Sequence, residues 1–148
     1  MPQTMWSSRS REDLLRRLNS LEPDAAPLWG KMTAPQMLAH LSGWMEMAKG
    51  TLTIQPRKLF LRYPGVKHLA IFWLPFPKGL PTAKELIIQN PLQWSVERAA
   101  VADGIESFEQ FHPDGVWPQH PAFGTLTPRA WGVLGYRHTD HHLRQFGV

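Results

Sequence analysis

The stretch "TPRAWGVLGYRHTDHHLRQFGV", residues 127–148, decides the fold. Thr127 and Pro128 read as a helix N-cap followed by a proline at the first helical position, where the missing N–H would have had no partner anyway. No proline interrupts 129–148, and Gly147 stands where a helix would stop. With His138 at zero and about 100° per residue, Trp131 falls at about 20°, Leu134 at about −40°, Gln145 at about −20° and His142 at about 40°. His141 falls near −60° on the same basis, about at the edge of that stripe. Arg137, Asp140 and Arg144 take the opposite side. The histidines therefore continue the apolar stripe of a helix that has a core to pack.

Working outward, proline placement divides the rest of the chain. The 14 prolines leave three more free windows, 3–22, 36–55 and 92–112, each about the length of a bundle helix. Ser10 followed by Arg11, Glu12 and Asp13 predicts one helix start, with acidic residues in the first turn. Thr33 with Gln36 predicts a capping box with Pro35 tolerated beside it, and Asn90–Pro91 predicts a third start. Gly50 is the expected stop of the second helix.

Apolar residues recur at helical spacing: Leu14, Leu15, Leu18 and Leu21; Met37, Trp44, Met47 and Ala48; Trp94, Val101, Ile105 and Phe108; Trp131 and Leu134. No period-two run is long enough to demand a sheet. The expected fold is all-α, a single domain over 1–148 built as a four-helix bundle. Segment 51–90 is expected to cross over the bundle with short helices near 57–63 and 66–74, and 112–126 to be a loop. A second stripe, Leu38, Leu41 and Met45 with Val133, Tyr136 and Leu143, is expected to pack under 51–90 or to form a dimer interface.

Composition narrows the function classes. There is no cysteine, so a metal site must use His, Asp or Glu. The net charge of +4 is modest for a nucleic-acid binder. The densest basic stretch, Arg57, Lys58, Arg62 and Lys67 around Phe60 and Tyr63, reads as a solvated face. The first residues hold no apolar signal region, and the apolar run Leu69–Phe76 is far below the ~20 residues of a spanning helix. A cytoplasmic protein with neither nucleic acid nor membrane as partner is expected.

Chemistry then concentrates on the histidines. His138 and His142, at i, i+4, rise on one helix face about 6 Å apart. His40 lies among Gln36, Met37, Trp44 and Met47 on the inner face of the second helix. Three buried neutral imidazoles without partners would cost about 1–3 kcal/mol for each unsatisfied group. A divalent ion bound by His40, His138 and His142 removes that cost, with water free to fill its remaining positions. His141, Gln36 and Gln145 are the candidates for orienting the ligands or a bound water. His68, His112 and His120 fall in connectors and read as surface or loop residues.

One histidine on helix 2 with H-x3-H on the last helix resembles the DinB/YfiT-like superfamily, whose members are read as metalloenzymes. "LWGKMTAPQMLAHL" and "HPAFGTLTPRAWGVLGYRHTDHHLRQFG" look like one bacterial branch of it. The superfamily's last helix typically ends H-x3-H-R-G-Q. Here Gln145 matches the glutamine, while Leu143 and Arg144 replace the Arg-Gly. The resemblance implies a divalent ion, nickel or zinc first and iron or manganese after them, three histidine ligands and a homodimer. It also implies relatives that use low-molecular-weight thiols such as bacillithiol or mycothiol as transferases and isomerases.

No HExxH, GxSxG or phosphate-binding glycine loop occurs. Glu46 and Asp140 project away from the histidine faces. The expected function is a metal-dependent enzyme acting on a small molecule, either a thiol-dependent transferase or a hydrolase. The alternative is a non-catalytic metal-binding or stress-related interaction protein in which the ion is structural.

Overall fold

The computed structural model describes residues 1–57, 59–79 and 82–148. Lys58, within the basic stretch, lies outside the described residues, as do Leu80 and Pro81. Five α-helices, and no strand, occur among the described residues: α1 Ser8–Ser20, α2 Ala34–Lys49, α3 Pro64–Phe72, α4 Trp94–Glu106 and α5 Pro128–Gln145. Short 3₁₀ turns cover Phe60–Arg62, Lys84–Leu86 and Phe108–Gln110. α2 packs on α4, α1 on α4 and α5, and α3 on α5. The four long helices match the four proline-free windows, and α3 with its preceding turn occupies the expected crossover.

Local signals explain most helix ends. Thr33 accepts from the Gln36 N–H while the Gln36 side chain accepts from the Thr33 N–H, closing the capping box of α2. Gly50 ends α2 in the left-handed region, at φ 84°. Thr127 caps α5 through the Ala130 N–H. Past α5, Gly147 (φ 79°) lets its own N–H reach the Arg144 carbonyl and that of Val148 reach the Leu143 carbonyl.

Two starts differ from expectation. α1 is capped by Ser7, and Ser10 is buried inside its first turn. The cause is tertiary: the Met5 N–H bonds the Gly132 carbonyl, which draws the preceding residues against α5. α4 begins at Trp94 rather than after Asn90, and Glu97 accepts from the Leu92 N–H. No side chain caps α4; Gln93 stands at its N-cap, and buried Glu97 instead fixes the residue before it through the Leu92 N–H.

The core contains Leu14, Leu18 and Leu21 of the α1 region, Met37, Trp44, Met47 and Ala48 of α2, Val101 and Ile105 of α4, and Trp131 and Leu134 of α5. Leu38, Leu41, Met45, Val133, Tyr136 and Leu143 are buried too, so the chain's own core takes up the stripe offered as a dimer interface. Part of it faces α4 rather than 51–90: a Cβ on Gly104 would stand 2.7 Å from Met45 Cγ.

Three cations tie the crossover down. Arg137 donates to the carbonyls of Ala70, Ile71 and Leu74 at the end of α3. Arg62 donates to the carbonyls of Arg57 and Pro121, and Lys67 to that of Thr125. The basic stretch is therefore partly consumed in fastening α3 and the 112–126 loop, where a solvated face was expected.

Candidate metal centre

His40 sits in the middle of α2, and His138 and His142 lie one turn apart on α5. The fold brings the three rings together. Ring centroids are 5.0 Å apart for His40–His138, 4.7 Å for His40–His142 and 4.8 Å for His138–His142. One ring nitrogen from each lies within 4.8 Å of the others. Ligands bonded at about 2.0–2.1 Å to a tetrahedral zinc ion stand about 3.3 Å apart, so the cluster has the dimensions to hold a metal ion.

Hydrogen bonds at the outer edge of the cluster set the tautomers. His40 Nδ1 is 3.1 Å from the Leu86 carbonyl, which can only accept, so Nδ1 carries the proton and Nε2 keeps its lone pair. His142 Nδ1 is 2.9 Å from Gln145 Oε1. The Gln145 amide cannot be turned around, because its Nε2 donates to the Trp29 carbonyl at 2.8 Å. His142 therefore also carries its proton on Nδ1. Such outer partners are how protein sites orient imidazole ligands.

His138 completes the geometry. Its Nε2 faces His40 Nε2 at 3.0 Å, and its Nδ1 is buried with no partner. Without an ion, His138 Nε2–H donates to His40. With Nε2 on an ion the proton moves to Nδ1, which has no partner among the described residues in either state, so an ion answers the facing Nε2 pair and not Nδ1. With a cation, both Nε2 lone pairs turn to one acceptor. Three imidazole nitrogens brought together in this way could hold a metal ion.

The electrostatics point the same way. Burial, reinforced by the neighbouring histidines, pushes His138 well below the usual imidazole range. Burial and His40 hold His142 down to about 3, and burial lowers His40 as well. The rings are neutral at physiological pH, which is the form that binds metal.

The other candidates divide. Gln145 stands behind His142. Gln36 does not reach the ligands: its side chain closes the capping box and donates to the Gln89 carbonyl. His141 stays outside the cluster, half-buried between the rings of Trp29 and Phe76, with its pKa lowered mainly by burial. Glu46 is bound to Lys49 and Thr51, and Asp140 to Arg17 and Arg144, so neither points into the cluster.

Of the connector histidines, His68 is exposed on α3, and His112 and His120 lie in the loop between α4 and α5, as expected, but are partly buried there. His112 bonds the Ala48 carbonyl at 2.7 Å and lies against Trp117. His120 packs against Trp131 and Phe123, and its Nδ1 accepts the N–H groups of Ala122 and Phe123. Burial pushes its pKa to about 3. The Leu86 carbonyl was missed altogether, since any residue supplies a carbonyl and no sequence signal marks this one.

No curated protein and no solved structure matches the chain. The family described as "Protein of unknown function (DUF1569)" matches residues 8–147, which include all three clustered histidines. With nearly its whole length matched, the chain belongs to the DUF1569 family.

Proposed function

We propose that His40, His138 and His142 hold a divalent ion, zinc or nickel before iron or manganese, and that the loaded protein is an enzyme acting on a small molecule. The observation that carries this reading is the convergence of three neutral imidazoles, two of them fixed as Nδ1–H tautomers by Leu86 and Gln145. The resemblance of the last helix to the DinB/YfiT-like pattern supports it, and supports a low-molecular-weight thiol as co-substrate. An ion held by uncharged ligands keeps its positive charge and supplies Lewis acidity, which lowers the pKa of water or a thiol at its open positions. Transfer of a group to a thiol and hydrolysis of a small molecule both draw on that chemistry.

The chain's own residues set the limits of the reaction. Gln145 and Leu86 hold two ligands in place. Among the described residues, the two candidate carboxylates, Glu46 and Asp140, are engaged away from the cluster. His141, the remaining histidine of the stretch, is the side chain placed to carry a proton in or out, flanked by Trp29 and Phe76.

The engagement of both carboxylates elsewhere also favours a second reading, in which the ion only staples α2 to α5. Elemental analysis of the purified protein and calorimetric titration with zinc and nickel test the ion itself. One ion per chain is expected for the wild type and none for His138→Ala. Absence of stoichiometric metal from the wild type overturns both readings. Turnover of electrophiles with thiol acceptors, or of small esters and amides, by the loaded protein then separates enzyme from staple.

A further inference from the structure

The crossover segment carries a charge pattern the histidine cluster does not use. Between Glu46 and Glu85 the sequence has no acidic residue and seven basic ones: Lys49, Arg57, Lys58, Arg62, Lys67, Lys78 and Lys84. The rest of the chain has nine basic and twelve acidic residues, so this segment alone accounts for the positive balance. Every ion pair found among the described residues lies outside 57–84. Arg62 and Lys67 reach only backbone carbonyls, and Lys78 stands over the Trp29 ring. Among the described residues, no carboxylate pairs with these three cations.

The same segment bears much of the exposed apolar surface. Phe60 is 68% exposed, Tyr63 69%, Leu69 49% and Trp73 73%. α3 turns Ile71 inward, and its helical period sends Leu69 and Trp73 to the opposite side, beside Val66. An outward row of tryptophan, tyrosine, phenylalanine and leucine, rimmed by cations, has the composition of an interfacial helix. Aromatic rings settle at headgroup depth, aliphatic ones go below them, and lysine and arginine reach anionic lipid.

We propose that the α3 segment docks this protein on an anionic lipid surface, with Trp73, Leu69 and Phe60 as the inserted side chains. Charge complementarity selects this occupant. A second copy placed face to face would set one positive segment against another. A nucleic acid would satisfy the cations but leave Leu69 and Leu74 without an apolar partner. No helix of the described residues is long and apolar enough to cross a membrane, so the contact is peripheral. The inference concerns the outer face of α3 and does not depend on the metal reading.

The test is co-sedimentation of the full chain with phosphatidylcholine vesicles, with and without phosphatidylglycerol. Binding is expected only when phosphatidylglycerol is present, and should fade as salt approaches about 1 M, where screening shortens to about 3 Å. The exposed pair Leu69→Ser and Trp73→Ser should weaken partitioning about tenfold or more. Lys78→Glu, which leaves the apolar row intact, should weaken it by a comparable factor. Circular dichroism melting of each variant reports whether the fold is retained. Equal partitioning to both vesicle types, or to neither, overturns the proposal. So does a dimer in sedimentation equilibrium that the Leu69→Ser and Trp73→Ser pair dissolves. Binding to an oligonucleotide, unaffected by that pair and stronger than binding to vesicles, overturns it as well.

Discussion

Single side chains decide whether three histidines are a site or a coincidence. Gln145 does two things at once: it accepts from His142 Nδ1 and donates to the Trp29 carbonyl, joining the ligand to the α1–α2 connection. Gly30 makes room for this, because a Cβ there would stand 2.7 Å from Gln145 Nε2, and its φ of 79° suits glycine. Gln145→Ala should lower metal affinity about 10–100-fold, as loss of an outer hydrogen bond to a ligand does. Competition titration against a chromophoric chelator measures it; an affinity unchanged within error would show that the His142 tautomer needs no support. For His138 the expectation concerns stability. Metal at about 100 times its dissociation constant should stabilise the wild type by about 2.7 kcal/mol and leave His138→Ala unmoved. Thermal melts with and without the ion give the comparison.

At the scale of elements, helix ends and close approaches position the cluster. α2 carries His40, and its capping box is closed by Thr33 and Gln36. Thr33→Ala should cost about 1 kcal/mol, read as a shift in the denaturation midpoint with the slope unchanged. α5 carries the other two ligands and receives the chain's first residues at Gly132, where an added Cβ would collide with the Trp6 ring and with Thr4 Oγ1. Gly132→Ala should therefore cost about 1–3 kcal/mol, although alanine is the better helix former. Stability equal to or above the wild type would mean that Trp6 moves aside freely. Where the signal was local, these ends were legible: Thr33, Gly50, Thr127 and Gly147 act as their residue types suggest. Ser10 was misleading because the true start of α1 answers to a distant partner, the Gly132 carbonyl that the Met5 N–H bonds, whereas α4 starts later than Asn90 suggests, with Glu97 on the nearby Leu92 N–H.

Across the whole molecule, burying histidines ties stability to pH. His142 and His120 are held at about 3, against an ordinary 6.5. Between those values the unfolded chain binds protons that the folded chain refuses, so stability rises with pH across the window. The ion-free protein should thus keep this contribution above about pH 6.5 and lose it as pH falls toward 3, on the order of 4 kcal/mol per histidine. Denaturation of chelator-treated protein at several pH values between 8 and 4 checks this, and a flat profile would refute it. The charge is also unevenly spread: the excess of basic residues sits on the crossover, while the carboxylates of α1, α4 and α5, buried Glu97 apart, pair with arginines or lie exposed.

By itself the sequence determined the number and approximate placement of the long helices and which residue types line their inner faces. It also singled out His40, His138 and His142 as candidates. Those properties are written in proline spacing and helical period, which are local. Tertiary structure decided that the three rings meet, since convergence depends on how α2 and α5 are set against each other. It also decided that Leu86 and Gln145 choose the tautomers, that Gln36 and His141 stay outside the cluster, and that His120 is packed against Trp131. Each of those outcomes depends on backbone carbonyls and ring faces brought from elsewhere in the chain. Such groups carry no residue-type signature, so only the packed molecule reveals them.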